Sequence, residues 1–232
     1  HAEKLATVGT LAGGVAHEIN NPLTAILTNV QMLLSGDELD KESLEMIEEA
    51  TKRCKTIVQK LMAFSKKPME STMMYKINLL EIIQRTVDFL KYQLEQDNIS
   101  LEVTAGKESY LVLANHDELG QVVTNIVLNA RDAIKQIKKS GTVFITLLEE
   151  ENWIKICIKD EGVGIPPEIL NRIFDPFFTT KEVGKGLGLG LSICQSIIEK
   201  HKGKIIVESE LNKGSMFILQ LPKLKENNLV KK

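Results

Sequence analysis

His17-Glu18-Ile19-Asn20-Asn21-Pro22 sets an imidazole beside a carboxylate, with an amide at Asn21 and a proline directly after it. A neutral imidazole nitrogen is a nucleophile, and an adjacent carboxylate can accept the proton of the other ring nitrogen. On a helix, Asn21 at i+4 shares the face of His17. Pro22 has no backbone donor and collides with the carbonyl of Glu18, at a cost of about 3 kcal/mol in a helix interior. It therefore predicts a bend one turn from the His-Glu pair. A histidine on a helix surface is ordinarily just solvated. The carboxylate and the proline set this one apart.

A second group of residues lies more than a hundred positions downstream. Asn125 and Asn129 stand at i, i+4 in Asn125-Ile126-Val127-Leu128-Asn129-Ala130-Arg131-Asp132-Ala133. That spacing puts two amide oxygens, hard ligands suited to Mg2+, on one helix face. Alone, it is also the pattern of an ordinary polar stripe. Asp160-Glu161-Gly162-Val163-Gly164-Ile165-Pro166 follows a strand-like run. A carboxylate there can accept a hydrogen bond from an adenine amino group, and glycines let backbone approach a flat base. A strand-ending turn has the same composition. Gly184-Lys185-Gly186-Leu187-Gly188-Leu189-Gly190 alternates glycines in a way no strand favours. It suits a hinged loop over phosphates at a helix N-terminus. It is neither a Walker A loop, lacking Gly-Lys-Ser/Thr, nor the dinucleotide fingerprint, whose glycine spacing differs. Before it, Phe174-Asp175-Pro176-Phe177-Phe178 supplies packing for such a loop, and Lys181 is either a phosphate contact or a solvated lysine.

The elements that must position these residues fall into two patterns. Over 3–66, apolar residues recur every three or four positions: Leu5, Val8, Ala12, Val15, Ile19, Leu23, Ile26, Val30 and Leu33, then Leu44, Ile47, Thr51, Cys54, Val58, Leu61 and Ser65. Ser35-Gly36-Asp37 provides a turn between two helices, giving an antiparallel hairpin. His17 lies two residues from both Val15 and Ile19, about 200° around the helix from each, and so faces outward. A stripe this narrow cannot stabilise one hairpin, whereas two hairpins make a four-helix bundle, which predicts a homodimer. Lys66-Lys67-Pro68 ends the second helix. Beyond it the periods predict helices near 79–95, 117–138 and 189–201. Strands are predicted near 98–104, 110–113, 142–148, 153–159, 204–209 and 215–221. Strands adjacent in sequence favour an α+β sandwich with a mixed sheet over a doubly wound fold. The expected domains are 1–67, 70–222 and a polar tail at 223–232.

The 232 residues carry a formal net charge of -2 and 26% charged residues, with no basic excess for nucleic acid. Cys54, Cys157 and Cys194 lack CxxC spacing and read as small core residues in a reducing compartment. No apolar run reaches the roughly 18 residues of a membrane span. The expectation is a cytoplasmic fragment, with membrane contact only through segments of a longer parent.

Taken in order, these segments resemble the sensor histidine kinases of two-component systems over nearly the whole chain, and most closely the nitrogen-regulation type. His17–Pro22 is similar to the family's H box, Asn125–Asn129 to its N box and Asp160–Gly164 to its G1 box. Phe174–Phe178 is similar to the F box and Gly186–Gly190 to the G2 box. The resemblance implies a dimerisation and histidine-phosphotransfer domain, then a Bergerat-type ATP-binding domain. It makes His17 the phosphoacceptor, Glu18 its base, and Asn21 the residue orienting water when such kinases act as phosphatases. ATP and Mg2+ are the implied cofactors: Asn129 with Asn125 would hold the metal, and Asp160 would read adenine. Gly162, Gly164 and Ile165 would flank the base, and Gly186, Leu187, Gly188, Leu189 and Gly190 would line the phosphates. The implied partner is a response-regulator receiver domain. In two places the chain departs from the family. Asp132 stands where many members carry lysine, which leaves Arg131, Lys181, Lys185 or backbone for the phosphate. Leu187 stands where Thr or Ser is usual. The rival readings are an ATPase of the gyrase and chaperone superfamily, a serine kinase on the same ATP fold, and a nucleotide-binding dimeric scaffold. The ATPases carry a glutamate, the base for water, where this chain has Asn125, and an amide cannot take that proton.

Overall fold

A computed structural model describes residues 19–35, 41–65, 73–181 and 188–224. The chain divides into two compact units, His1–Met69 with Asp175–Leu189 and Glu70–Phe174 with Gly190–Lys232.

The first unit contains helix α1 (19–34) and helix α2 (Lys41–Ser65). In α1, Ile19, Ile26, Val30 and Leu33 turn inward as their spacing predicts, but Pro22 is buried where the expected stripe had Leu23. The stripe expected on α2 splits in two. Ile47, Ala50, Cys54 and Ile57 are buried or half-buried, whereas Leu44, Thr51 and Val58 are exposed. Leu44, Thr51 and Val58 are seven residues apart, two full turns each, so they form a second seam beside the first. Leu23 and Leu27 of α1 are 47% and 56% exposed. His17 and Glu18 lie outside the described residues, as does the 36–40 part of the expected turn. The bend expected at Pro22 depends on Glu18 and falls outside them too.

The second unit opens with β1 (Tyr75–Asn78), α3 (Leu79–Gln96), β2 (Ile99–Ala105) and β3 (Leu111–Ala114), followed by α4 (His116–Lys135). β4 (Gly141–Glu149), β5 (Trp153–Lys159) and the single-turn α5 (Pro167–Leu170) come next. It closes with α6 (Gly190–Lys200), β6 (Lys204–Glu210) and β7 (Gly214–Pro222). The sheet order is β2-β4-β5-β7-β6, with β2 and β4 parallel and every other pair antiparallel. This is the mixed sheet of the expected α+β sandwich.

Alternation decides which face is covered. Ile145 pairs with Ile158, Ile158 with Phe217, and Phe217 with Val207, so one apolar row crosses four strands. Leu147, Ile156, Leu219 and Ile205 make the next row. Buried residues of α4 (Leu119, Val122, Val123, Ile126, Val127, Ala130, Ile134) and α6 (Cys194, Ile197, Ile198) complete the core. Two elements escaped the periodicity argument. β1 is only four residues long and pairs with β3 in a separate two-stranded sheet, and α5 is a single turn opened by Pro167. Among the described residues no helix is long and apolar enough to cross a membrane.

Both long helices of this unit begin at an asparagine cap. Asn78 Oδ1 accepts from Leu80 N at 3.2 Å, and Asn115 Oδ1 accepts from Glu118 N at 3.0 Å. Each takes up a backbone donor that a helix start leaves unpaired. Asn115→Ala should cost about 1 kcal/mol, while Asn115→Asp, which keeps the acceptor and adds a favourable helix-end charge, should be near neutral. Urea unfolding followed through the single tryptophan, Trp153 in β5, measures both.

Candidate functional site

The start of α4 is pinned from outside the helix. Asn115 N–H donates to His201 Nε2 at 3.0 Å, and His201 Nδ1 lies 2.7 Å from the Ile197 carbonyl. A ring that accepts at one nitrogen and donates at the other is neutral. Beside it, Lys200 Nζ meets Glu118 Oε1 at 2.6 Å. These contacts tie α4 to the end of α6 and fix the rotation of α4 about its axis.

That rotation sets Asn125 and Asn129, both half-buried, on one face. Asn125 Nδ2 donates to Cys194 Sγ at 3.7 Å, a weak bond that turns its Oδ1 the other way. Burial pushes the Cys194 thiol up to about 12, so it remains a neutral packing group. Farther along, Arg131 donates from Nε and Nη2 to Asp132 Oδ1 at 2.9 and 2.6 Å and lies 3.8 Å from Asp97 Oδ2. Lys135 pairs with the same Asp97. The guanidinium is thus held between two carboxylates of its own unit.

The 160–165 loop sits against the other end of α4. Val163 N–H donates to the Ala133 carbonyl at 3.1 Å. A Cβ on Gly162 would come within 2.6 Å of Ala133 backbone and side chain, so only glycine permits this approach. On the opposite side, Gly164 has φ +72° and would place a Cβ 2.1 Å from the Glu210 carbonyl. Asn212 N–H donates to Val163 O at 2.7 Å. The loop is clamped between α4 and the β6–β7 turn.

Asp160 is 2% exposed at the head of this loop. Among the described residues both hydrogen bonds to its carboxylate fall on Oδ1, from Gly162 N at 2.8 Å and Ser215 N at 3.3 Å. Neither falls on Oδ2. Burial raises its pKa above the ordinary carboxylate value, and the two backbone donors oppose that rise. Asp160, Gly162, Gly164 and Ile165 therefore share one loop, seated on α4 one turn beyond Asn129 and two turns beyond Asn125. Two serines that sequence reasoning passed over join it: Ser215 through its backbone, and Ser209, whose Oγ accepts from Ile165 N at 2.8 Å. Both occupy strand positions with no periodic signal to mark them.

In the other unit, Phe177 N–H donates to Gly188 O at 2.9 Å. Gly188 has φ +63°, and a Cβ there would fall 2.4 Å from the Phe177 carbonyl carbon. Phe177 itself has φ 68°, a conformation rare for a bulky side chain, and the close approach of Gly188 holds it there. Leu189 is buried, and Lys181 N–H donates to Thr179 Oγ1. Lys185, Gly186 and Leu187 lie outside the described residues. In the second unit a Cβ on Gly190 would meet nothing within 4 Å, so the last of the alternating glycines is not required by crowding. Asn21 is half-buried in the first described turn of α1.

Two family descriptions match the chain: "His Kinase A (phospho-acceptor) domain" over residues 7–70, and "Histidine kinase-, DNA gyrase B-, and HSP90-like ATPase" over residues 114–225. Sporulation kinase A of Bacillus subtilis is 36% identical over 96% of this chain, which spans 36% of that relative. Sensor histidine kinase ZraS of Escherichia coli is 36% identical over 95% of this chain, which spans 46% of it. Among solved structures, the catalytic domain of histidine kinase ThkA superposes with a TM-score of 0.58 at 34% identity, covering 65% of this chain and 97% of that one. ThkA in complex with response regulator protein TrrA superposes with a TM-score of 0.77 at 31% identity, covering 96% of this chain and 64% of that one.

Because the pKa of folded Asp160 is raised, its ionised form costs stability at every pH above that raised value. Asp160→Asn keeps an Oδ1 acceptor without the charge. At pH 7 it should melt higher than wild type. The difference should shrink as pH falls through the raised value and be gone below the ordinary 3.8. Thermal unfolding across that pH range measures it.

Proposed function

As this chain belongs to the sensor histidine kinases of two-component systems, we propose that it phosphorylates His17 from Mg-ATP and passes the phosphoryl group to an aspartate of a response-regulator receiver domain. The observation that carries this reading is the junction of α4 with the 160–165 loop. It joins a two-amide helix face to a buried carboxylate with one oxygen open. The donor set fits the groups it would hold. Asp160 Oδ2 accepts the adenine amino proton, and Gly162 and Gly164, packed where a Cβ would meet Ala133 and the Glu210 carbonyl, hold the loop that carries it. Asn129, assisted by Asn125, supplies neutral oxygen ligands for magnesium. When bound, that ion offsets the negative charge of the phosphates.

His17 then attacks the γ-phosphorus, the bond to the β–γ bridging oxygen breaks, and ADP departs with that electron pair. Glu18 receives the proton of the other ring nitrogen. The receiver aspartate attacks the same phosphorus in a second displacement and frees the imidazole. Asn21, one turn from His17, orients water when the reaction with the receiver runs toward hydrolysis. Arg131 is occupied by Asp132 and Asp97, which favours Lys181, Lys185 or backbone for the γ-phosphate. An amide at Asn125 cannot act as a base for water, which argues against simple ATP hydrolysis. The relative seen with a response regulator supports the choice of partner. The phosphotransfer domain is read as 1–67 and the catalytic domain as 70–222, in a cytoplasmic setting.

Leu23, Leu27, Leu44 and Val58, all at least 45% exposed, are the surface a second copy would cover to complete a four-helix bundle. Leu27→Glu should raise the dissociation constant of the dimer at least tenfold in sedimentation equilibrium, since it buries a charge in an apolar seam. The kinase reading is tested with γ-phosphate-labelled ATP. Wild type should acquire an acid-labile, alkali-stable label, and His17→Gln should acquire none. Label retained on His17→Gln at the wild-type level would refute the assignment.

A further inference from the structure

The far side of the 160–165 loop ends on a side chain. Ser209 Oγ accepts the Ile165 N–H at 2.8 Å, reaches the Gly214 carbonyl at 3.0 Å and lies 2.9 Å from Ser215 Oγ. A hydroxyl has one donor and two acceptor sites. With its proton on Gly214 O and Ser215 O–H directed at it, every site on the Ser209 hydroxyl is used. Ser215 in turn holds Asp160 twice through its backbone: Ser215 N donates to Asp160 Oδ1, and Asp160 N donates to Ser215 O at 2.9 Å. One hydroxyl thus bonds both to the end of the loop, at Ile165, and to the strand start that seats Asp160.

We infer that Ser209 is a positioning residue for purine selection, one that sets where Asp160 Oδ2 stands relative to a six-position amino group. The inference rests on Asp160 as the adenine reader. Ser209 need touch no ligand to do this. A charge-assisted hydrogen bond weakens steeply with misplacement, so discrimination between purines depends on how firmly the loop is held. Gly164 and Gly214 allow the loop and the β6–β7 turn to touch, a Cβ on either falling 2.1 Å from a carbonyl oxygen across the contact. Close approach permits the bond; the Ser209 hydroxyl supplies the direction.

Inosine triphosphate carries a carbonyl oxygen where ATP carries the amino group, and so lacks the six-position donor that Asp160 would read. Initial autophosphorylation rates with ATP and with ITP as magnesium complexes separate the outcomes. Ser209→Ala should raise KM for ATP about tenfold, leave KM for ITP within twofold and change kcat less than twofold, so the ATP preference falls about tenfold. Ser209→Thr, which retains the hydroxyl, should keep the wild-type preference. An unchanged ATP/ITP preference in Ser209→Ala overturns the inference and leaves the Asp160 reading intact. A wild-type enzyme with no ATP/ITP preference overturns the Asp160 reading and the inference together. If Ser209→Ala unfolds early by Trp153 fluorescence, Ser209→Cys carries the same comparison, since it keeps the volume with a much weaker hydrogen-bonding group.

Discussion

The nucleotide-binding unit depends on one backbone contact, the approach of Gly162 to Ala133. Ala133 lies in the last turn of α4, where helix carbonyls have no partner within the helix. The Val163 N–H takes the Ala133 carbonyl, so a single hydrogen bond both closes the helix and seats the loop. Any side chain at 162 would push them apart. With the contact in place, the amides of Asn125 and Asn129 and the carboxylate of Asp160 are held by rigid elements on both sides. Reactions that rely on positioning and charge need that kind of pre-organisation.

Charge placement follows from the same packing. Asp160 is buried with two backbone donors on one oxygen, enough to keep a carboxylate inside the fold but not to satisfy it fully. In the proposed function, this incompletely satisfied acceptor is a binding feature rather than a stabilising one. Arg131 shows the reverse: its guanidinium is placed among Asp132 and Asp97, where it braces the end of α4 near the C-cap of α3. Asp132, which departs from the usual lysine, is therefore part of an ion-pair cluster with Arg131.

The helical unit answers to a different constraint. A pair of helices has too little surface to bury two apolar seams, and here one seam is covered while the other, through Leu44, Thr51 and Val58, remains open. The open seam costs nothing if a second hairpin covers it. The width of the apolar stripe is therefore what favours the proposed pairing of two hairpins.

Sequence alone determined the two-part organisation, the long helices, most strands and the family, because each rests on local periodicity or on side chains close together along the chain. The spacing of Asn125 and Asn129, the glycines around Asp160 and the His17-Glu18 pair were all legible in this way. β1 and α5 were not, being too short to show a period. Tertiary structure alone decided which half of the α2 stripe is buried, since both halves have the same spacing and only packing separates them. It also decided that Arg131 is occupied, that the Asn125 amide is turned by Cys194, and that Ser209 and Ser215 hold the Asp160 loop. Apart from the adjacent Arg131–Asp132 pair, those contacts join residues 34 to 69 positions apart, and no local pattern records which strand positions will meet a loop once the sheet has formed.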